Sequence, residues 1–267
     1  FEYKLHPVGP EIMAGLVAWP ADAAPKVLAL ARTLMENGPG EFVCAPFLRR
    51  APPAPWLPQA IHGQPIVALA VCDTGSVAAA EQRVARIKSF GKPVADIVHR
   101  RSYVSQQSIL DATQPKGRRY YWKSEFLPRL DDTLFYIAQA QMSRTVSSHA
   151  VILMFPIGGA MKQWPHNHSA MGHRDAAWAL TIMAAWDTAA DDAANIEWAR
   201  SAWRELRHYS TGGTYVNFLN DDDGDERLRA AYGPNHARLV DVKTAWDPAN
   251  LFRCNKNIAP RAPRVRP

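Results

Sequence analysis

The run Ala176 to Trp186 carries a single polar side chain, Thr181, in eleven residues. No orientation of such a segment offers a polar face to water, so the rest of the chain has to surround it. It is also far shorter than the roughly 20 apolar residues that cross a bilayer. Its alanines favour a helix, whereas its length and all-round apolar character fit a fully buried strand, and periodicity leaves both open. A chain of 267 residues, 47% hydrophobic and 21% charged, is long enough for one large domain or two small ones and excludes disorder. A soluble protein with no membrane partner is expected.

Around that run, helix and strand signals alternate. Glu11 to Trp19 mixes β-branched and large apolar residues and stops at Pro20, as a strand does. Asp22 and Pro25 open a helix with its apolar stripe at Val27, Leu28, Ala31 and Leu34, ended by Gly38-Pro39-Gly40. Phe42 to Leu48 and Pro65 to Cys72 read as strands joined by a rigid Pro-rich loop. Ser76 is placed to cap a helix over Val77 to Phe90. Arg119 to Phe126 follows as a strand, a helix capped by Asp131 or Asp132 reaches about Ser143, and His149 to Ile157 is an apolar strand entering Gly158-Gly159. Asp192 to Arg207 has an acidic start and Ile196, Ala199, Trp203 and Leu206 on one face, the pattern of an amphipathic helix. Thr214 to Leu219 is predicted to resume a strand, and the acidic turn NDDDGDE to lead, solvated, into a helical pair broken at Gly233-Pro234. No Gly-rich crossover turns separate these elements. The fold class is therefore α+β, an antiparallel or mixed sheet covered by helices on one side.

The formal charge is +6, with several positives in the terminal run PRAPRVRP, so 261–267 is expected to be a disordered basic tail. The remaining basic clusters are short and lack the stripe of Lys/Arg with interleaved aromatics that nucleic-acid binding requires. Three separated cysteines form neither a disulfide framework nor a Cys-rich metal site, and a cytoplasmic, reducing location is the default. Residue 1 is Phe rather than Met, which suggests a piece of a longer protein.

Dinucleotide, phosphate-loop, nucleophile-elbow and calcium-loop signatures are all absent on inspection. The segment HNHSAMGH brings His166, His168 and His173 within eight residues, a spacing that zinc can use, and a strand there would put His166 and His168 on one face. Hydrolytic zinc sites usually add a carboxylate, and none lies between Ile157 and Asp175. Among nine tryptophans and eight tyrosines, Trp178, Trp186 and Trp203 sit in apolar runs and read as core. Tyr215 and Asn217 alternate just beyond a double glycine and ask for a partner on one face.

The run YSTGGTYVNFL, Tyr209 to Leu219, and the segment Ala230 to Ile258 resemble the closing segment of berberine-bridge-enzyme-like FAD-linked oxidases. Upstream, GRRYYWKSEFL (Gly117 to Leu127), PIGGAM (Pro156 to Met161) and His173-Arg174 resemble the same family's substrate domain in the same order, and FEYKLHPVGP resembles the handover from its flavin domain.

The resemblance implies a substrate-binding domain over 1–207 and a C-terminal segment over 208–260 that would pack on an N-terminal FAD-binding domain, absent here. It implies FAD as cofactor, a small-molecule substrate, and oxidation of an alcohol, sugar or amine-bearing carbon by proton removal and hydride transfer. By resemblance Tyr215, Asn217 and Asn257 face the flavin, and Lys123, Phe155 and Phe218 belong to the substrate site. The family's frequent tyrosine base falls on Phe218, which cannot take a proton, and its polar partners fall on Phe155 and Leu153. Tyr215 is the only phenol left in the motif as a candidate base. Three readings follow: the substrate and C-terminal portion of an FAD-dependent oxidoreductase, a redox-inactive binding module derived from one, and a zinc-dependent hydrolase. The first requires an open sheet face bearing aromatics.

Overall fold

A computed structural model describes residues 1–254 and 256–262; the end of the expected basic tail, 263–267, lies outside the described residues. Its centre is an antiparallel sheet of eight strands. In chain order the elements are β1 (Glu11–Pro20), α1 (Ala24–Asn37), β2 (Phe42–Arg50), β3 (Pro65–Asp73), α2 (Val77–Lys88), β4 (Ala95–Asp96), β5 (His99–Ser102) and α3 (Tyr103–Gln107). They continue with β6 (Arg119–Leu127), α4 (Asp132–Ser143), β7 (Val151–Pro156), β8 (Trp178–Trp186), α5 (Asp192–Leu206), α6 (Asp225–Tyr232) and α7 (His236–Trp246). The strand order is β4-β1-β3-β2-β7-β8-β6, with β5 also pairing β1.

The apolar run Trp178–Trp186 is a strand, buried along its whole length. It pairs with β7 on one side and β6 on the other, so both faces and both edges are covered. That environment rewards side chains on every position and overrides the helix preference of its alanines.

Alternation divides the sheet into two faces of different character. One face, carrying Val17, Leu69, Cys44, Leu48, Ile152 and Leu180, is the main core, sealed by α1, α2, α4 and α5. Trp178 and Trp186 are buried in it, and Trp203 packs against it. The other face is free of helices in its core contacts. Over β1 and β3 it is covered by the Pro-rich connection, whose Ala51 and Leu57 bury Ala18, Ile66 and Ala68. Over β6, β7 and β8 it is covered by aromatic side chains and, around Phe126 and Ala179, by Ala176, Ile157 and Met171 of the connection from β7 to β8.

At Gly15 in β1 the turn before β5 crosses so closely that an added Cβ would lie 2.2 Å from the Ile97 carbonyl. Only glycine tolerates that approach. Ser76 and Asp131 do occupy the N-cap positions of α2 and α4, but neither makes a side-chain capping bond.

Past α5 the chain returns along the outer edge of β6. The Phe126 amide donates to the Gly213 carbonyl at 2.8 Å, and Thr211 donates to the Phe126 carbonyl at 2.9 Å. The expected strand over Thr214 to Leu219 does not form: Val216–Phe218 is a single 3-10 turn. The reason lies at the edge itself, where side chains take the outward carbonyls. Thr214 Oγ1 and Arg227 each donate to the Ser124 carbonyl at 2.9 Å, and the Asn220 amide donates to that of Trp122. The tail's first residue is also not free, since the Arg261 backbone amide donates to Thr244 Oγ1 at 2.9 Å and its side chain pairs with Asp241.

Candidate functional site

The open part of the sheet carries an aromatic row. Trp122 of β6 lies parallel to Phe218, with centroids 5.6 Å apart and planes 5° from parallel. Phe218 in turn stacks on Phe155 of β7 at 6.5 Å and meets Tyr215 edge-on at 5.2 Å. Phe155 and Tyr215 remain more than a third exposed. The turn Val216–Phe218 thus swings the Phe218 ring from the edge of β6 onto the open face. The tertiary fold brings together Tyr215, Phe218 and Phe155, and adds Trp122, which sequence reasoning passed over. Its signal was available: Trp122 and Lys123 are adjacent in a strand and therefore face opposite sides.

The same turn joins Tyr215 and Asn217 by a route other than strand alternation. The Asn217 Nδ2 donates to the Tyr215 phenol oxygen at 2.6 Å, fixing both side chains. Asn257, on the C-terminal segment, has a buried side-chain oxygen with no hydrogen-bond partner among the described residues. Two orphaned hydroxyls sit on the open face. Ser124 Oγ and Thr181 Oγ1 are cross-strand partners, both buried and both without a partner. Leu153 completes their row across β7. By register this row lies between those of Phe155 and Trp122, the two rings that Phe218 joins.

Lys123 is on the opposite, helix-packed face and does not reach the aromatic row. Its ammonium donates to Asp223 at 2.7 Å and lies 3.3 Å from Asp222. Burial opposes this charge, but the Asp223 carboxylate outweighs burial and raises the lysine's pKa. The acidic turn leads into α6 and is largely exposed, as expected, but Asp223 is drawn in against the lysine. Asp222 also accepts from the Tyr121 phenol at 2.6 Å and from Arg200 of α5 at 2.7 Å. Two positions along β6, the buried Glu125 accepts from Trp203 Nε1 at 2.6 Å and pairs with Arg227 at 3.0 Å. Lys123 and Glu125 together tie the returning segment, and with it the Tyr215–Phe218 turn, to the back of the edge strand.

The three histidines do not converge. His166 Nδ1 contacts the Gly172 carbonyl at 2.5 Å, His168 stacks on Trp164 at 4.2 Å, and His173 Nε2 contacts the Ala230 carbonyl at 2.6 Å. They lie in a loop instead of a strand, and no group of three potential metal ligands occurs among the described residues. His173 instead packs on Gly213, where an added Cβ would sit 2.2 Å from the ring, so the second glycine of the pair is a packing requirement. Arg174 holds the preceding loop through the Met161 carbonyl and Ser169, each at 2.7 Å. Beside the Pro156–Gly159 turn lies a pocket of about 440 Å³ lined by Met35, Phe42, Val43, Ile157, Met161 and Trp178.

A sheet with one helix-packed face and one open aromatic face, closed at its edge by a returning C-terminal segment, can be compared with known proteins. Residues 214–259 match the family described as "Berberine and berberine like". Over 97% of its length the chain is 24% identical to an FAD-linked oxidoreductase of Dictyostelium discoideum, covering 54% of that relative. The berberine bridge enzyme of Eschscholzia californica superposes with a TM-score of 0.78 at 15% identity, over 95% of this chain and 55% of that one. The 6-hydroxy-D-nicotine oxidase of Arthrobacter nicotinovorans superposes with a TM-score of 0.73 at 20% identity, over 95% and 56%. By these matches the chain is similar to FAD-linked oxidoreductases. Berberine-bridge-enzyme-like proteins are matched both by sequence over 214–259 and by fold over nearly the whole chain. It spans about half the length of the relatives it matches. No helix among the described residues is long and apolar enough to cross a membrane.

Proposed function

We propose that this chain is the substrate-binding and C-terminal portion of an FAD-dependent oxidoreductase, its aromatic face covering the flavin ring and holding a small-molecule substrate between them. The observation that carries this reading is the row of flat rings Trp122, Phe218, Phe155 and Tyr215, the first two half-buried and the last two exposed, on a sheet whose other face is sealed by helices. The Tyr215–Asn217 pair beside the rings supplies polar groups of the kind a flavin ring edge takes, so the residues present fit the cofactor. FAD, when bound, supplies the two-electron acceptor. The chain's own residues orient the substrate and exclude water from it. Phe218, Phe155 and Leu153 present no group that takes a proton. Tyr215 is the phenol of the site that can, with its oxygen positioned by the Asn217 amide.

The partner implied is an N-terminal FAD-binding domain, which accounts for the half of the relatives' length that this chain does not span. Reading the coding frame upstream of Phe1 tests this directly: a continuous frame encoding a flavin domain is expected. An initiation codon immediately ahead of Phe1 would instead favour the redox-inactive binding module. That second reading rests on the apolar Leu153, Phe155 and Phe218. In protein expressed from the longer frame, flavin absorbance is expected, and Tyr215→Phe lowers the rate of substrate-dependent flavin bleaching. Bleaching unaffected by that change would remove Tyr215 from the role of base.

A further inference from the structure

At the end of the sheet away from the Pro156–Gly159 turn, the open face carries a row of polar side chains that the aromatic site does not use. It consists of Arg49 at the end of β2, His149 before β7, Asp187 after β8 and Arg118 before β6. Strand alternation assigns them to this face: Arg49 follows Phe47 by two, and Phe47 packs under the Pro-rich connection. Arg118 Nε donates to Asp187 at 2.9 Å, and the second carboxylate oxygen of Asp187 lies 3.4 Å from His149 Nε2.

Arg49 has no such partner. None of the ion pairs among the described residues involves it, and its guanidinium makes one hydrogen bond, from Nε to the Arg50 carbonyl at 3.1 Å. Burial, and then the charge of Arg118, lower its pKa. Burial, Arg118 and Arg49 act in the same sense on His149 and outweigh Asp187, so the imidazole is held toward its neutral form. The row therefore contains two guanidinium groups against a single carboxylate. A half-buried cation without a counter-charge is costly unless something supplies one.

Register places that cation opposite the aromatic site. Arg49 pairs with Val151, Val151 with Met183, and Met183 with Trp122, so one line across β2, β7, β8 and β6 has a guanidinium at one end and an indole at the other. Three strand spacings separate the ends by roughly 14 Å, and the two side chains between them are apolar. We propose that Arg49, with Arg118 in electrostatic reach, binds the anionic group of a ligand whose aromatic body rests on Trp122 and Phe218, so that the substrate class is an aryl acid, carboxylate or phosphate. A guanidinium binds either group through paired, charge-assisted hydrogen bonds. This proposal rests on the reading of the aromatic face as the substrate face.

The test is a titration of the whole chain followed by NMR at the Trp122 indole N–H and the Arg49 Nε–H, using naphthalene-2-carboxylate and its neutral amide. The acid is expected to move both signals and to bind about tenfold more tightly than the amide. Arg49→Gln is expected to abolish that preference, and Arg49→Lys to retain part of it. Equal affinity for acid and amide in the wild-type chain, or a preference that survives Arg49→Gln, would overturn the anion site and leave the aromatic face standing. If neither compound moves the Trp122 signal, the aromatic-face reading fails, and the proposal with it.

Discussion

The Phe218 ring lies 5.6 Å from the Trp122 ring and within 5° of parallel to it, although the two belong to segments almost a hundred residues apart. This contact fastens the C-terminal turn to the open face of the sheet. Phe218→Ala removes the stack on Trp122, the contact with Phe155 and part of a half-buried side chain. A loss of about 1–2 kcal/mol is expected, read as a lower urea midpoint with an unchanged slope. An unchanged midpoint would mean that the turn is held by its back-face ties alone.

Those ties make Lys123 a structural residue. Lys123→Ala leaves the buried Asp223 carboxylate without its cation and is expected to cost about 3 kcal/mol. Hydrogen exchange should rise at the Phe126 amide, which bonds the Gly213 carbonyl of the returning segment. Exchange confined to residues before β6 would contradict the role assigned to Lys123.

Gly213→Ala drives a methyl group into the His173 ring. The ring has to leave its place against the Ala230 carbonyl, and about 2–3 kcal/mol of stability should be lost. The double variant Gly213→Ala with His173→Ala should cost less than the sum of the two single changes. Strict additivity would show that ring and glycine are not in contact.

Asp222 supplies a pH dependence. Burial pushes its carboxyl up, but the Tyr121 phenol and Arg200 guanidinium outweigh burial and hold it down to about 2. A depressed folded-state pKa contributes stability that is fully present above the unfolded carboxylate's value near ~4 and is lost as pH falls through about 2. Because the side chain is 36% exposed, screening reduces the contribution to about 1 kcal/mol. Asp222→Asn should therefore lose stability at pH 6 and flatten the unfolding curve between roughly pH 4 and pH 2. An acid limb of the same depth in both proteins would remove Asp222 as its source.

Sequence alone determined most of the elements of this fold, because their signals are local. Apolar periodicity and Pro/Gly stops marked α1, α2 and α5, and the strand segments together with the absence of crossover turns implied an antiparallel sheet with helices on one side. The motif around Tyr215 carried the family resemblance. What the chain itself left open was decided by contacts distant in sequence. Within the run Ala176 to Trp186, Trp178–Trp186 became a strand because β7 and β6 lie on both its edges. Thr214 to Leu219 failed to become one because side chains had already taken the carbonyls it would have met. Lys123 carries the sequence of a site residue, yet the pleat turns it to the helix face, where Asp222 and Asp223 neutralise it. The pairing of Trp122 with Phe218, and the line from Arg49 to Trp122, exist only once the strands are in register. A side chain's type is written locally, but its face and its neighbours follow from strand pairing, which is a property of the whole sheet.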